Sequence, residues 1–197
     1  MVHFNGSIEV ISSHEQILDN QGMRFLGCKY PARKDYRKEI EILGEKAGHA
    51  LLKNNIYGIF SADFLVVKKD QEFSISLIEL NIRKGGTTHP FWTCKLALGE
   101  TKRSESSGHL VGKDGKEYIY CSNDNYEGKA YGRCSIKEIL NNSKNKNLIF
   151  STSRGEGVIF HLLSAWEPLG KIGYTIIAQC KERLQEIECE LDKVLSA

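Results

Sequence analysis

The chain has 197 residues, 41% of them hydrophobic and 26% charged, which is enough apolar content for one domain or two small ones. Lys and Arg (27) nearly balance Asp and Glu (25), so the net charge of +2 argues against nucleic acid as a partner. No apolar run approaches the roughly 18 residues of a membrane span, and the first residues lack a signal-peptide pattern. We therefore expect a cytoplasmic protein that does not bind a membrane.

The cysteines do not form a metal-binding pattern. No Cys-x-x-Cys pair occurs, so a zinc ribbon is not expected. Scattered single cysteines are typical of reduced thiols in a cytosolic protein. They are Cys28, Cys94, Cys121, Cys134, Cys180 and Cys189.

The first third of the chain predicts short strands followed by one long helix. Residues 2–12 read as a strand pair around the turn dipeptide Asn5-Gly6, and residues 23–30 as another strand. Residues 33–54 carry apolar side chains at helical spacing. A β-hairpin is predicted next, with strands at 57–67 and 73–82. Because two strands cannot bury both faces, the helix should pack against this hairpin.

The hairpin brings acidic and amide side chains together. If its turn is centred near Gln71, Asp63 lies opposite Glu79 on the partner strand. Glu79 and Asn81 are two residues apart and share a face, so the apolar neighbours of this apparently buried strand point the other way. Two opposed carboxylates repel unless a cation joins them, and Mg²⁺ prefers oxygen ligands. The hypothesis is a Mg²⁺ site of Asp63, Glu79 and Asn81; the alternative is a pair of solvated acids beside a tight turn.

A basic, glycine- and hydroxyl-rich segment follows the second strand. Arg83 and Lys84 precede Gly85-Gly86, and a guanidinium beside a flexible Gly-Thr loop suits a phosphate. Each side chain also has a simpler interpretation: Lys84 could be solvated, and the hydroxyls of Thr87 and Thr88 could satisfy their own turn. His89 could orient a phosphate or a substrate carboxylate, or cap a helix predicted over 90–98.

The remaining sequence predicts a smaller α+β region. A strand over 117–121 precedes Ser122 to Asn125, which favours a turn or, alternatively, lines an amine-substrate pocket. A capping box opens a helix at Ser135, and residues 141–147 predict an exposed loop. Strands over 157–165 and 172–178 should pair antiparallel, with His161 most simply a core histidine. A closing helix is predicted over 181–195. The predicted class is α+β, an antiparallel sheet with packed helices.

Several of these segments resemble ATP-grasp carboxylate–amine ligases, most closely the pheganomycin-ligase-like peptide-ligase branch. The most specific is Ile78 to Pro90 (IELNIRKGGTTHP). The resemblance extends over nearly the whole chain through further segments in the same order as in that branch. These are residues 14–18, 27–32, 58–66, 122–125, 157–163 and 170–175.

The resemblance implies a role for each residue of the hairpin and loop. Asp63, Glu79 and Asn81 match the positions that hold the magnesium ions bridging the ATP phosphates. Arg83 matches a catalytic residue that contacts the transferring phosphate or the acyl phosphate. Lys84, Thr87, Thr88 and His89 would complete the ATP-binding loop. The family activates a carboxylate with ATP, forms an acyl phosphate and lets an amine attack it, so the implied cofactors are ATP and Mg²⁺.

The resemblance covers only the second half of an ATP-grasp core. We expect residues 1–103 to be its metal- and phosphate-binding subdomain and residues 104–197 a small C-terminal α+β region of the same family. The segment before Asp63 is too short to supply the nucleotide-clamping half. We therefore expect a fragment, a split subunit or a remnant that does not ligate alone. Its partners would be a carboxylate, an amine or amino acid, and the missing N-terminal half; homo-oligomerisation stays open.

Two other function classes remain. A metal-dependent nuclease often carries an acid on one strand and Glu-x-Lys on the next, but here Asn81 replaces the lysine and a basic, aromatic surface is lacking. A non-catalytic remnant would instead bind another chain through the surface that the missing half would cover. An exposed apolar patch on the metal-bearing face would favour that interpretation.

Overall fold

The computed structural model describes residues 1–99, 101–128 and 131–196, which divide into two compact units. The first comprises Met1–His14 and Ala32–His89, and the second comprises Glu15–Pro31 and the residues from Pro90 onward. These units follow three-dimensional contacts and do not coincide with the predicted boundary between residues 103 and 104. That boundary, between two regions of a ligase family, remains a prediction.

Helices and antiparallel strands alternate irregularly along the chain, which confirms the predicted α+β class. The helices are α1 (Lys34–Lys53), α2 (Thr88–Leu98), α3 (Ile136–Asn145), α4 (Trp166–Leu169) and α5 (Lys181–Leu195). The strands are β1 (Glu15–Leu18), β2 (Phe25–Tyr30), β3 (Ser61–Lys69), β4 (Glu72–Asn81), β5 (Lys102–Arg103), β6 (Leu110–Val111), β7 (Glu117–Glu127), β8 (Gly157–His161) and β9 (Lys171–Ala178).

The first unit is α1 packed on the two-stranded sheet β3–β4, as predicted. Tyr36 and Ile40 on one face of α1 form a small core with Ala32. Aromatic and β-branched side chains of the hairpin pack against this core, namely Phe64, Val66, Phe73 and Ile75. Within this unit, α1 thereby supports one side of the hairpin. The predicted turn at Asn5-Gly6 is also present, because Val2 bridges Ile8 across it.

Two glycines of α1 make a matched test of this packing. An added Cβ at Gly44 would meet nothing within 4 Å, whereas at Gly48 it would lie 2.8 Å from Ile8 Cγ2. Gly44→Ala should raise the free energy of unfolding by about 0.5–1 kcal/mol, because alanine loses less backbone entropy in a helix. Gly48→Ala has the same helical advantage but must displace Ile8, so it should be no more stable than the unsubstituted chain. Urea unfolding followed by circular dichroism compares them, and equal stabilisation would contradict the close contact.

The second unit is built on an antiparallel sheet whose strands differ in length, with β7 at its centre. β2 and β9 flank β7, β1 extends the sheet beyond β2, and β8 extends it beyond β9. The predicted pairing of the segments at 157–165 and 172–178 is confirmed, although β8 ends at His161 and residues 163–165 form a 3-10 turn. β7 is longer than predicted and includes Ser122 to Asn125, which were expected to form a turn.

α3 and α5 cover one face of this sheet. The predicted apolar face of α5 is buried, and its residues Leu184, Ile187 and Leu191 join a core that includes Ile176 and the fully buried Trp166. The capping box at Ser135 and Glu138 is present. The expected loop over residues 141–147 was wrong in its first part, because α3 continues to Asn145. Ile139 is buried in the core of the second unit, and its burial outweighs the weak helix propensity of the asparagines.

All six cysteines are free thiols, as the sequence predicted. Burial raises the pKa of Cys121 to about 12 and raises the pKa of Cys28 and Cys94 well above the ordinary thiol range. These three thiols therefore stay protonated and unreactive in the folded chain. Among the residues described, no helix is both long and apolar enough to cross a lipid bilayer.

Candidate metal- and phosphate-binding site

The register of the β3–β4 hairpin places Asp63 directly opposite Glu79, the predicted pair, although the turn is centred between Asp70 and Gln71 and not on Gln71. Lys69 pairs with Glu72 across a two-residue turn, in which Asp70 has a positive φ of 51°. A bulge between Asp63 and Phe64 then shifts the pairing by one residue. Side chains directly opposed in such a ladder lie roughly 5 Å apart at Cβ, so the two carboxylates are neighbours.

Asn81 occupies the same face of the hairpin as the two acids. Residues two apart on a strand share a face, and Asn81 pairs with Ser61 just as Glu79 pairs with Asp63. Four oxygen-bearing side chains thus lie in two adjacent cross-strand pairs. Asp63, Asn81 and Ser61 are half-buried, and Glu79 is exposed. A set of two carboxylates, an amide and a hydroxyl has the chemistry of a Mg²⁺ site, whose remaining ligands are ordinarily water and phosphate.

The strand that carries Glu79 is not buried, contrary to expectation. Ile78 is 65% exposed, Leu77 48% and Leu80 36%. The bulge turns Ile78 out of the regular alternation, and the core formed with α1 reaches only as far as Phe64 and Ile75. The half of the hairpin that bears the acids therefore presents both polar and apolar side chains to solvent in this chain.

The glycine-rich loop folds back onto the first pair of the hairpin. An added Cβ at Gly85 would lie 2.8 Å from Ser61 Oγ and 3.1 Å from Ser61 Cβ. The absence of a side chain at Gly85 allows the loop backbone to pass directly over Ser61. Because Ser61 is the cross-strand partner of Asn81, the start of the loop lies next to the predicted metal ligands.

The loop hydroxyls differ in what they contact. Thr88 Oγ1 accepts a hydrogen bond from Gly85 N at 3.1 Å, and Thr88 N donates to Gly85 O at 3.1 Å. Thr88 therefore closes its own turn, one of the two interpretations left open above. The half-buried Thr87 hydroxyl makes no hydrogen bond to another described residue. α2 starts at Thr88, two residues earlier than predicted, so His89 lies in the first turn of the helix and is exposed.

The two basic residues at the start of the loop are exposed. Arg83 Nη1 donates to Lys84 O at 2.9 Å, a bond within the loop that costs little to exchange for a stronger acceptor. Lys84 forms no ion pair with another described residue. Both positive groups directly follow the strand that bears Glu79 and Asn81.

Sequence reasoning missed Ser61. The same pairing rule that set Asp63 opposite Glu79 also sets Ser61 opposite Asn81, so the signal was present in the register. The described residues contain no group of three or more His, Cys, Asp or Glu that could hold a metal ion. The predicted set has two carboxylates and takes its further oxygens from Asn81 and Ser61.

Known proteins share sequence with both units. The chain is 28% identical over 178 residues to L-propargylglycine–L-glutamate ligase of Streptantibioticus cattleyicolor, and the match includes 90% of this chain. The chain spans 36% of the length of that relative. Residues 144–191 match the family model described as the PGM1 C-terminal domain. The resemblance to carboxylate–amine ligases, first identified from the motifs, is confirmed.

Proposed function

We propose that this chain is the metal- and phosphate-binding half of an ATP-dependent carboxylate–amine ligase. The observation that carries the proposal is the register that joins Asp63 to Glu79 and Ser61 to Asn81 beneath a glycine loop. The similarity to a ligase that joins two amino acids supports it. By analogy with that relative, the substrates are an amino-acid carboxylate and an amine, and the product is an amide.

Asp63, Glu79 and Asn81 are the proposed Mg²⁺ ligands, with Ser61 beside them. Bound magnesium would neutralise the ATP phosphates and relieve the repulsion between the two opposed acids. Arg83 is the proposed catalytic residue, because it can place a guanidinium on the phosphoryl group as negative charge develops there. Lys84, Thr87, Thr88 and His89 are proposed to bind the phosphates or the carboxylate. The remaining half of the nucleotide site would come from an N-terminal ATP-grasp subdomain.

The proposal predicts a carboxylate-dependent nucleotide site. Calorimetric titration with Mg²⁺ and a non-hydrolysable ATP analogue should show binding by this chain, either alone or once an N-terminal ATP-grasp half from a related ligase is added. Asp63→Asn and Glu79→Gln should each weaken binding at least about tenfold, because each removes a charged ligand oxygen. Glu72→Gln, on the same strand at the opposite end of the hairpin, is the matched control and should bind normally.

Two outcomes would overturn the proposal. The first is unchanged binding in both acid variants, which would place the nucleotide elsewhere. The second is the absence of binding even with the added half.

A second candidate function is a non-catalytic domain that binds another chain. Exposed apolar side chains on the hairpin favour it, because Leu65 is 52% exposed and Val67 42% exposed on the same face as Asp63. Such a face is typical of a surface that another polypeptide covers. Complex formation with an N-terminal half that is unaffected by Glu79→Gln, together with no Mg²⁺-nucleotide binding by the complex, would favour this candidate over the ligase.

A further inference from the structure

A polar cluster lies on one face of the sheet in the second unit. Ser122 on β7 pairs with Thr175 on β9, and His161 on β8 pairs with Gly173 on β9. Because positions 173 and 175 share a face, these side chains lie together on it. Ser122 and Thr175 are fully buried. Buried hydroxyls in a sheet are expected to be hydrogen-bonded, so the partners of Ser122 and Thr175 identify the other members of the cluster.

The hydrogen bonds of the cluster converge on one oxygen of Asp124. Thr175 Oγ1 donates to Ser122 Oγ at 3.1 Å, and Ser122 Oγ in turn lies 3.3 Å from Asp124 Oδ1 and 3.2 Å from the Tyr174 carbonyl. His161 Nε2 lies 3.0 Å from the same Asp124 Oδ1. The single hydroxyl proton of Ser122 is shared between Asp124 Oδ1 and the Tyr174 carbonyl, so His161 is the principal group that orients the carboxylate.

The absence of a side chain at Gly173 allows the His161 ring to reach Asp124. An added Cβ at Gly173 would lie 2.3 Å from ring atoms of His161, so the imidazole rests directly on the strand backbone. His161 is only 13% exposed there. A side chain at position 173 would displace the ring and, with it, the imidazole that orients Asp124.

Asp124 itself lies in a bulge of the central strand. Asn123 pairs with Tyr174 and Tyr126 with Ile172, so the two residues between them have no cross-strand partner. Asn123 Oδ1 accepts a hydrogen bond from Asn125 N at 2.9 Å, which fixes the bulged backbone. Bulges commonly redirect a side chain out of the regular ladder. The Asp124 side chain is 27% exposed, and its Oδ2 makes no hydrogen bond or ion pair with another described residue.

We propose that Asp124 is the recognition group for a primary ammonium ion. In the proposed ligase, the amine substrate carries this group. The identification of the ligand as the amine substrate rests on the proposed function, and the ammonium site itself does not. A fixed, half-buried carboxylate with one available oxygen forms charge-assisted hydrogen bonds with an ammonium group. His161 acts as a positioning residue, because it holds Oδ1 and leaves Oδ2 for the ligand.

The chemistry of the cluster selects an ammonium over other cations. A guanidinium binds a carboxylate best through both oxygens, and Oδ1 is already engaged by His161 here. A divalent metal ordinarily takes several side-chain or phosphate oxygens, whereas a single oxygen of Asp124 is available here. An ammonium needs only one strong acceptor in a fixed position.

The test uses a probe that carries an ammonium but no carboxylate. The full chain is titrated with L-alaninamide and, as its matched control, N-acetyl-L-alaninamide, and amide chemical shifts are followed by NMR without any nucleotide. Saturable shifts at residues 123–126 and 161 are expected with the first probe and none with the second. Asp124→Asn should weaken binding about 10- to 100-fold, because the hydrogen bond loses its charged acceptor.

Matched variants separate recognition from structure. Glu127→Gln, which removes an exposed charge on the same strand, should bind as the unsubstituted chain does. His161→Gln should weaken binding less than Asp124→Asn does, because glutamine can still donate to Oδ1. The shift map of the unsubstituted chain locates the site even if a variant fails to fold.

Each result of this titration bears on the proposal. No saturable binding of L-alaninamide, shifts elsewhere in the chain, or equal binding by Asp124→Asn would overturn it. Failure here with intact Mg²⁺-nucleotide binding would reject only the ammonium site. Ammonium binding at Asp124 without any nucleotide binding would instead reject the proposed ligase function and leave the site standing.

Discussion

Replacing Arg83 by alanine is expected to slow ATP-dependent phosphate release by about 10²- to 10³-fold, the usual effect of losing one group that stabilises transition-state charge. Arg83 follows the ligand-bearing strand directly and is exposed, and among the described residues its guanidinium contacts the neighbouring Lys84 carbonyl alone. Binding of the Mg²⁺-nucleotide should change much less, because Asp63, Glu79 and Asn81 are intact. The measurement is phosphate release with an N-terminal ATP-grasp half and candidate substrates supplied.

Two further variants make this result specific. Arg83→Lys keeps the charge but loses the planar donor geometry, so it should recover only part of the rate. Lys68→Ala removes an exposed positive charge at the far end of the same hairpin and should leave the rate unchanged. A full rate in Arg83→Ala, or an equal loss in Lys68→Ala, would show that Arg83 does not act on the transferring phosphate.

The second large effect is expected on stability, from Gly27→Ala in the second unit. Gly27 on β2 pairs with Asn123 on β7, and an added Cβ would lie 1.9 Å from the Ser122 carbonyl oxygen and 2.8 Å from Asn123 Cα. Both atoms belong to the backbone of the central strand, so a rotamer change cannot relieve the collision. The free energy of unfolding should fall by about 3 kcal/mol, the upper range for overpacking in a well-packed core.

Chemical unfolding followed by circular dichroism measures this change. Lys29→Ala, two residues along the same strand and exposed, is the control and should stay within about 0.5 kcal/mol of the unsubstituted chain. If Gly27→Ala unfolds with an unchanged free energy, β2 and β7 do not approach each other as closely as described.

Helices were predictable where the spacing of apolar residues in the sequence matches the residues that are buried in the fold. α1 and α5 carry apolar residues at helical spacing, and both lie within one residue of the predicted bounds. The loop expected over residues 141–147 was wrong because asparagine-rich sequence is polar on average, whereas α3 is held in the core of the second unit through the buried Ile139. That burial is a tertiary contact, and composition does not carry it.

The candidate site was partly predictable for a related reason. A tight turn determines strand register to within one residue, so the neighbourhood of Asp63 and Glu79 followed from the turn position, but their direct pairing also depends on the bulge between Asp63 and Phe64. The exposure of Ile78 and Leu80 was not predictable, because alternation along a strand does not say which layers cover its two faces. The position of Gly85 over Ser61 depends on the loop conformation. Glycine permits many backbone conformations, so the sequence did not predict this one. Likewise, Asp124 and His161 are far apart in sequence, and only the sheet pairing brings them together.

The bulge and the two-residue turn of the β3–β4 hairpin together fix the number of residues between Asp63 and Glu79. A deletion or insertion of one residue between Asp63 and Glu79 would move an apolar neighbour such as Leu80 into the place of an acid, since side chains alternate along a strand. Substitutions in the turn should be tolerated, but changes of its length should not. Homologous chains that retain the site should therefore vary in the identity of residues 68–72 while keeping a constant spacing between the two acids.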